Sequence, residues 1–202
     1  MRRTAVSLFL VSGFLLSIVC VAVVRVRAHD DDRDRDGRVR QGFRIAEAQG
    51  IHLSLRGKNH ELVGLGSYLV NAAGGCADCH SCPTYAPGHN PYGPPFGPPG
   101  GGDGKLNTTN YLAGGVIFAP PGVTSANLTP DPDADNKPEG HTFKEFLALI
   151  RTGHDADEGG RILQVMPWPV YRNMKDEDLR AIYEFLRAIP SAKPGVCVAP
   201  GQ

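Results

Sequence analysis

Residues 74–80 read Gly-Gly-Cys-Ala-Asp-Cys-His, and this stretch decides how the rest of the chain is interpreted. The pattern Cys-x-x-Cys-His is the attachment signature of c-type haem. Residues three apart on a helical turn share a face, so Cys76 and Cys79 can both form thioethers with one edge of a flat porphyrin. His80 then lies beneath the iron as its proximal ligand. The stretch therefore predicts one haem c, covalently bound through Cys76 and Cys79.

Two other chemistries compete for the same three residues. A zinc site would need a fourth ligand, and a zinc ribbon would need a separate second Cys-x-x-Cys pair, which the sequence lacks. A thioredoxin-like thiol pair is typical of a βαβ setting, and no part of the sequence shows that pattern. Covalent haem is the favoured interpretation.

Residues 1–28 have the organisation of a secretory signal. Arg2 and Arg3 precede an apolar run over residues 5–24, and Val-Arg-Ala at 26–28 resembles a cleavage site. The run is also long enough to cross a bilayer as an uncleaved membrane anchor. In either case we expect the remainder to be exported, to the periplasm or the outer face of the inner membrane.

The charge balance argues against nucleic acid as a partner. The leader holds four of the 21 basic residues and no acid, so 17 basic residues face 21 acidic residues in the remainder. An excess of negative charge does not suit binding to a polyanion. The expected partners are redox proteins, one donor and one acceptor.

Cysteine counting predicts a disulfide. Cys20 lies in the leader, and Cys76 and Cys79 are assigned to haem. Cys82 and Cys197 remain, an even pair in an oxidising compartment. Their disulfide would tie the C-terminal tail to the haem-binding region; the alternative is two separate thiols.

Three helices are predicted from apolar residues at helical spacing, over residues 59–73, 142–151 and 176–189. Asn59 can cap the first helix. Thr142, with Glu145 three residues on, forms a capping box at the second. Gly66 lies on the apolar stripe of the first helix, which suggests that another helix crosses closely there. The predicted fold is all-α, with long irregular loops wrapped around one haem.

The predicted domain organisation has four parts: a leader (1–28), a charged tether and extended arm (29–58), a cytochrome c domain (59–190) and a tail (191–202). Residues 32–37 match the first half of a calcium loop, but Phe43 stands where the closing glutamate belongs, so a solvated tether is favoured. Residues 83–105 are rich in proline and glycine and predict an irregular loop, either a solvent-exposed insertion or a flap that docks a partner.

The sixth iron position is assigned to Met166, because Pro167 after it would hold the thioether out of a helix. Met174 is interpreted as core filler. His154 and His141 are alternative ligands, and a vacant position is a third possibility. The Nδ1 proton of His80 needs an acceptor, expected from a backbone carbonyl of the proline-rich stretch.

Five segments together resemble the bacterial monohaem class I cytochrome c domain, which recurs in cytochrome subunits of periplasmic dehydrogenases. They are residues 64–80, Tyr-Leu-Ala-Gly-Gly at 111–115, Asn-Leu-Thr-Pro-Asp at 127–131, Met-Pro-Trp at 166–168, and residues 176–186. The resemblance covers about residues 59–189. It implies a small all-α fold whose first and last helices cross, with Gly66 and Tyr183 as candidates for the crossing. It also implies Cys76 and Cys79 as thioether sites and His80 and Met166 as the axial pair.

One position departs from the family pattern. Lys175 stands where a threonine or serine usually caps the last helix, so Asp176 is expected to take over that role. The resulting functional hypothesis is an exported electron carrier that is not itself an enzyme. The alternatives are an electron-relay subunit of a larger periplasmic dehydrogenase, and a haem ligand sensor with an open sixth position.

Overall fold

The computed structural model describes residues 32–119, 122–156 and 159–198. The chain divides into two compact units, Met1–Gly37 and Arg38–Gln202. The predicted secretory signal at 1–28, with its possible anchor over 5–24, lies outside the described residues. Within the described residues, no helix combines the length and the apolar character that a membrane span requires.

Residues 32–49 form a helix, α1, where the sequence predicts a tether followed by an extended arm. The sequence does not predict this helix; residues 51–55, where an extended arm is expected, follow it and contain no helix or strand. Val39, Phe43 and Ala46 recur at helical spacing, and Val39 and Ala46 are buried. This stripe is too narrow to stand out among the surrounding charges. Because residues 32–37 are helical, they also lack the loop conformation that a calcium site of that pattern requires.

The first predicted helix is confirmed: α2 covers His60–Tyr68 and continues as a π-helical turn, Leu69–Ala73. The Asn59 side chain caps α2 by accepting a hydrogen bond from the backbone N–H of Leu62, 3.0 Å away. The last helix, α6, covers Asp176–Leu186 and ends three residues earlier than predicted.

Helices α2 and α6 cross at Gly66, as the sequence predicts. A methyl group on Gly66 would come within 2.0 Å of the Ala181 carbonyl oxygen and 2.7 Å of Phe185 Cβ. The role proposed for Tyr183 in this crossing is wrong. Tyr183 is two residues after Ala181, which turns it about 200° around the helix. Its hydroxyl donates to the carbonyl of His141, 2.9 Å away on the other side of α6.

Helix α4 covers Phe143–Thr152, and its predicted capping box is present. The backbone N–H of Thr142 donates to Glu145 Oε2 at 2.7 Å, and the Thr142 hydroxyl accepts from the Glu145 N–H at 3.3 Å. The capping role expected for Asp176 is wrong, because Lys175 is the N-cap of α6 and makes no side-chain capping bond. The Asp176 carboxylate instead pairs with Arg151 of α4.

Two short helices complete the set: α3, Cys76–His80, and α5, Trp168–Tyr171. The main hydrophobic cluster joins α1, α2 and α6 to residues 111–112, and Cys76 packs against it. Its fully buried members include Val63, Val70, Leu112 and Phe185. The Cys-x-x-Cys-His motif is therefore anchored on the core of the larger unit.

The described residues also contain short strands that the all-α prediction does not include. They are β1 (Val116–Phe118), β2 (Val123–Thr124), β3 (Pro130–Asp131), β4 (Lys137–Pro138), β5 (His154–Asp155), β6 (Arg161–Ile162) and β7 (Cys197–Val198). β1 pairs antiparallel with β2 and parallel with β7, β3 pairs with β4, and β5 pairs with β6. The fold is mostly helical rather than purely α. Strands of two or three residues are too short to leave an alternating pattern in the sequence.

The predicted disulfide between Cys82 and Cys197 is confirmed, with the two Cα atoms 5.9 Å apart. It joins β7 to the residues that follow α3. Residues 83–105 contain no helix or strand, as predicted. Tyr92 and Phe96 are exposed in this loop, and the choice between an insertion and a docking flap stays a prediction.

Candidate haem-attachment site

The Cys-x-x-Cys-His motif forms one short helix, α3, which carries both thiols and the imidazole. Gly75 precedes it in the left-handed region, with φ of 57°, a conformation that glycine adopts without a steric cost. Cys76 and Cys79 are both free, Cys76 half-buried and Cys79 exposed. Because Cys82 and Cys197 are paired with each other, the two thiols of α3 remain available for thioether formation.

The pKa values of the two thiols bear on the alternative of a thioredoxin-like redox pair. Burial raises the pKa of the Cys76 thiol to about 11. Burial, followed by the negative charge of Asp78, also raises the pKa of Cys79. Reactive thioredoxin-like cysteines have lowered pKa values that keep them as thiolates near neutral pH. The shifts here run the other way, which disfavours the thiol-pair alternative.

The imidazole of His80 is held in one orientation by a backbone carbonyl. Its Nδ1 lies 2.9 Å from the carbonyl oxygen of Ala126, and since a carbonyl only accepts, Nδ1 carries the proton. Burial lowers the pKa of His80, so the ring is neutral at physiological pH. Nε2 is then unprotonated, as a metal ligand must be. The expectation of an acceptor in the proline-rich stretch is wrong, because Ala126 follows β2.

Backbone contacts around His80 involve residues that sequence reasoning missed. The N–H of Gly114 donates to the His80 carbonyl at 2.7 Å. The buried hydroxyl of Ser81 accepts from the N–H of Leu112 at 2.9 Å. A carbonyl acceptor such as that of Ala126 belongs to every residue type, so no side-chain pattern could have identified it.

Met166 lies on a separate segment, between β6 and α5, and is half-buried. Two contacts fix the ends of that segment. The Leu163 N–H donates to the Gly153 carbonyl at 2.8 Å, and the Tyr171 hydroxyl donates to the Gly74 carbonyl at 3.1 Å. The second contact joins α5 to the residues just before α3. The assignment of Met166 as the sixth ligand stays a prediction.

The pKa of Tyr171 also indicates that α5 lies near the Cys-x-x-Cys-His motif. Burial raises its pKa, and the neighbouring Cys76 and Cys79 raise it further. Trp168, at the start of α5, packs its ring over Gly153, where a methyl group would come within 2.2 Å of the indole. The segment that carries Met166 is thereby held between the residue after α4 and Gly74, just before α3.

The alternative histidine ligands lie in other settings. The exposed His154 is in β5, with Nδ1 3.1 Å from the Gly160 carbonyl. His141 is buried, with Nε2 3.8 Å from a carboxylate oxygen of Glu139.

The donor set fits an iron porphyrin better than a bare metal ion. Among the described residues, no three His, Cys, Asp or Glu side chains cluster closely enough to hold a metal ion, so the zinc alternative gains no support. A porphyrin supplies its own ring nitrogens and needs only axial ligands from the protein. Cys76 packs against the main hydrophobic cluster, as do the half-buried side chains of Leu106, Leu128 and Phe146. The residues present therefore fit the covalent attachment of a c-type haem.

Comparison with known proteins leads to the same class. The chain is 29% identical over 154 residues to the cytochrome c subunit of an alcohol dehydrogenase (quinone) from Gluconobacter oxydans, a match that covers 73% of the chain and 27% of the relative. It is 31% identical over 132 residues to the cytochrome c subunit of gluconate 2-dehydrogenase from Pantoea cypripedii, with 63% and 23% covered. No protein-family model and no solved structure matches the chain.

These similarities confirm the resemblance to bacterial c-type cytochromes. The chain spans about a quarter of the length of the curated relatives it matches. The similarity therefore covers only one portion of each relative, and the relatives' names refer to much longer proteins.

Proposed function

We propose that this chain is an exported monohaem c-type cytochrome that transfers single electrons between protein partners. The observation that carries the proposal is the chemistry of α3. Two free thiols and a neutral histidine lie within five residues, and the Nδ1–H of His80 is already hydrogen-bonded to Ala126. Cys76 and Cys79 would hold the haem, with His80 as proximal ligand and Met166 as distal ligand.

The residues of the chain would set the properties of the bound group. When bound, the haem iron accepts and releases one electron at a time. The Ala126 carbonyl keeps the His80 ring in one tautomer and makes its Nε2 more basic. The packing of the Met166 segment against Gly153 and Gly74 would hold the thioether in place. A methionine thioether opposite histidine favours the reduced state and raises the midpoint potential.

Intact mass spectrometry of the exported protein, made with a working haem-maturation system, tests the proposal. We expect the mass of one haem added to the polypeptide, and loss of the covalent adduct in a Cys76→Ala/Cys79→Ala variant. The matched control is Cys82→Ala/Cys197→Ala, which removes the same number of sulfur atoms and should retain the adduct. A colourless wild-type protein with the mass of the bare polypeptide would overturn the proposal.

A second candidate is an electron-relay subunit of a larger dehydrogenase. It is favoured by the names of the relatives, which are cytochrome c subunits of alcohol and gluconate dehydrogenases. The two candidates share the haem site and differ in whether the chain diffuses. Size-exclusion chromatography of the native extract, followed by haem absorbance, separates them. A freely diffusing carrier elutes as a small protein, whereas a relay subunit elutes with dehydrogenase activity.

A further inference from the structure

We propose that the Cys82–Cys197 disulfide and the C-terminal tail, residues 195–198, position the imidazole of His80. They do so by fixing the β1–β2 hairpin, whose continuation carries the Ala126 carbonyl. The inference rests on the proposed function where it concerns a bound haem. The claim that the tail positions the His80 ring concerns the polypeptide alone and does not depend on a bound haem.

The first step is that both the ring and the backbone of His80 are held by the open end of this hairpin. The ring Nδ1–H donates to Ala126, just after β2, and the His80 carbonyl accepts from Gly114, just before β1. A methyl group on Gly114 would come within 2.5 Å of the Ala126 oxygen. The two ends of the hairpin are therefore in contact where they meet His80.

The second step is that Ser125 couples β1 to the Ala126 carbonyl. The Ser125 N–H donates to the Val116 carbonyl at 2.8 Å, and the Ser125 hydroxyl accepts from the Val116 N–H at 3.0 Å. The Ser125 carbonyl accepts from the Gly115 N–H at 3.0 Å. Three hydrogen bonds thus prevent β1 from moving without the peptide that leads into Ala126.

The third step is that the tail holds β1 from its other side. β7 pairs in parallel with β1, and the N–H of Cys197 donates to the Gly115 carbonyl at 3.3 Å. Gly195 lies so close to Cys82 that a methyl group on it would be 1.8 Å from the Cys82 carbonyl oxygen. The side chain of Cys82 is 1% exposed and packs with Val116.

These contacts form a closed circuit: a continuous series of covalent and hydrogen bonds that begins and ends at His80. Cys82 follows His80 by two residues and is covalently joined to Cys197, which is paired with β1. β1 is bonded to Ser125, which precedes the acceptor of the His80 ring. Opening the disulfide removes the covalent part of the circuit. The Nδ1–H···O hydrogen bond should then break more often, and His80 should become a less basic and less well-oriented ligand.

The test compares two variants with one control. Cys82→Ala/Cys197→Ala opens the circuit without leaving a thiol that could attach haem wrongly. Ser125→Ala breaks its hydroxyl contact and keeps the disulfide. Val196→Ala is the control, because this side chain lies in the same tail and is 86% exposed.

The first measurement is solvent exchange of the His80 Nδ1 proton by NMR, in the full chain with and without haem. We expect exchange to be faster by up to about tenfold in both variants, the change expected when local opening no longer has to break one hydrogen bond. The second measurement is the midpoint potential. A less basic histidine stabilises ferric iron less, so the potential should rise; a threefold change in the ratio of ferric to ferrous stability is about 28 mV.

The proposal is overturned if both variants keep the wild-type exchange rate and potential, or if Val196→Ala shifts them equally. If the double variant does not fold, Ser125→Ala decides by the same two measurements. If the wild type never carries haem, the proposed function fails. Proton exchange in the haem-free chain then still decides whether the tail positions His80.

Discussion

Gly66 of α2 lies directly against the carbonyl oxygen of Ala181 in α6, where a methyl group would be 2.0 Å away. The obstructing atoms belong to the backbone of a buried helix, so they cannot rotate out of the way as the end of a flexible side chain can. The same helix approaches α1 at Gly64, where a methyl group would be 2.9 Å from the Val39 carbonyl oxygen. Two glycines thus let α2 pack between α1 and α6.

Gly66→Ala should destabilise the protein, because the added methyl group forces α2 and α6 apart. Overpacking of this kind costs about 1–3 kcal/mol, which outweighs the gain in helix propensity. Urea unfolding followed by circular dichroism measures the loss. Gly93→Ala is the matched control, since a methyl group there meets nothing within 4 Å. Equal unfolding free energies for the two variants would contradict the close crossing.

Thr142→Ala should raise the pKa of Glu145. The Thr142 side chain and then its backbone N–H donate hydrogen bonds that lower this pKa in the folded protein. A carboxylate with a lowered pKa stabilises the fold above its unfolded pKa, and that stabilisation is lost as pH falls through the folded pKa. Removing the hydroxyl should therefore also weaken the loss of stability on acidification.

NMR titration of the Glu145 side-chain carboxyl carbon measures this shift. Thr152→Ala is the control, because its hydroxyl donates to the Ala148 carbonyl at the other end of α4. It should leave the Glu145 titration where it is in the wild type. An unchanged Glu145 pKa in Thr142→Ala would show that the capping box does not persist in solution.

The sequence predicts those elements of the fold whose formation depends on a pattern of side chains along the chain. Apolar periodicity and caps locate α2, α4 and α6, and the glycine on the α2 stripe locates a helix crossing. Counting cysteines gives the Cys82–Cys197 pair, because the motif accounts for the other two outside the predicted leader. The helix at residues 38–49 escapes prediction, since its buried side is narrow and rests on the small side chain of Ala46.

In the candidate site, too, the residues that form a sequence motif are predicted, and the main-chain contact is not. Cys76, Cys79 and His80 are adjacent in sequence, and the structure gives them one helix. The acceptor for His80 is a main-chain carbonyl 46 residues away, and it depends on how β1, β2 and β7 associate. Since each of these strands has two or three residues, tertiary contacts rather than local preference decide their conformation. Met166 remains a prediction, supported by the packing of its segment.

Gly153→Ala should disturb the segment that carries Met166. Gly153 has φ of 71°, and a methyl group there would lie 2.2 Å from the ring of Trp168. Trp168 is the only tryptophan in the chain, so its fluorescence in the haem-free protein reports the displacement directly. We expect the emission to shift towards that of a solvent-exposed indole.

Gly159→Ala separates the ring contact from backbone strain. Gly159 has a similar φ of 70°, but a methyl group there meets nothing within 4 Å. This variant should share the strain and keep the wild-type emission. The same emission from both variants would contradict the packing of Trp168 over Gly153.

Met166→Ala should remove the near-infrared band that arises from charge transfer between a thioether sulfur and ferric iron, and should lower the midpoint potential. Met174→Ala is the matched control. Met174 packs against the buried cluster that contains Leu65 and Leu69, so its loss should reduce stability and leave the band intact. Absorption spectra of the oxidised wild type and of both variants show which methionine the band depends on. A band that survives in Met166→Ala, or that is absent from the wild type, would contradict methionine ligation and favour the open sixth position of a ligand sensor.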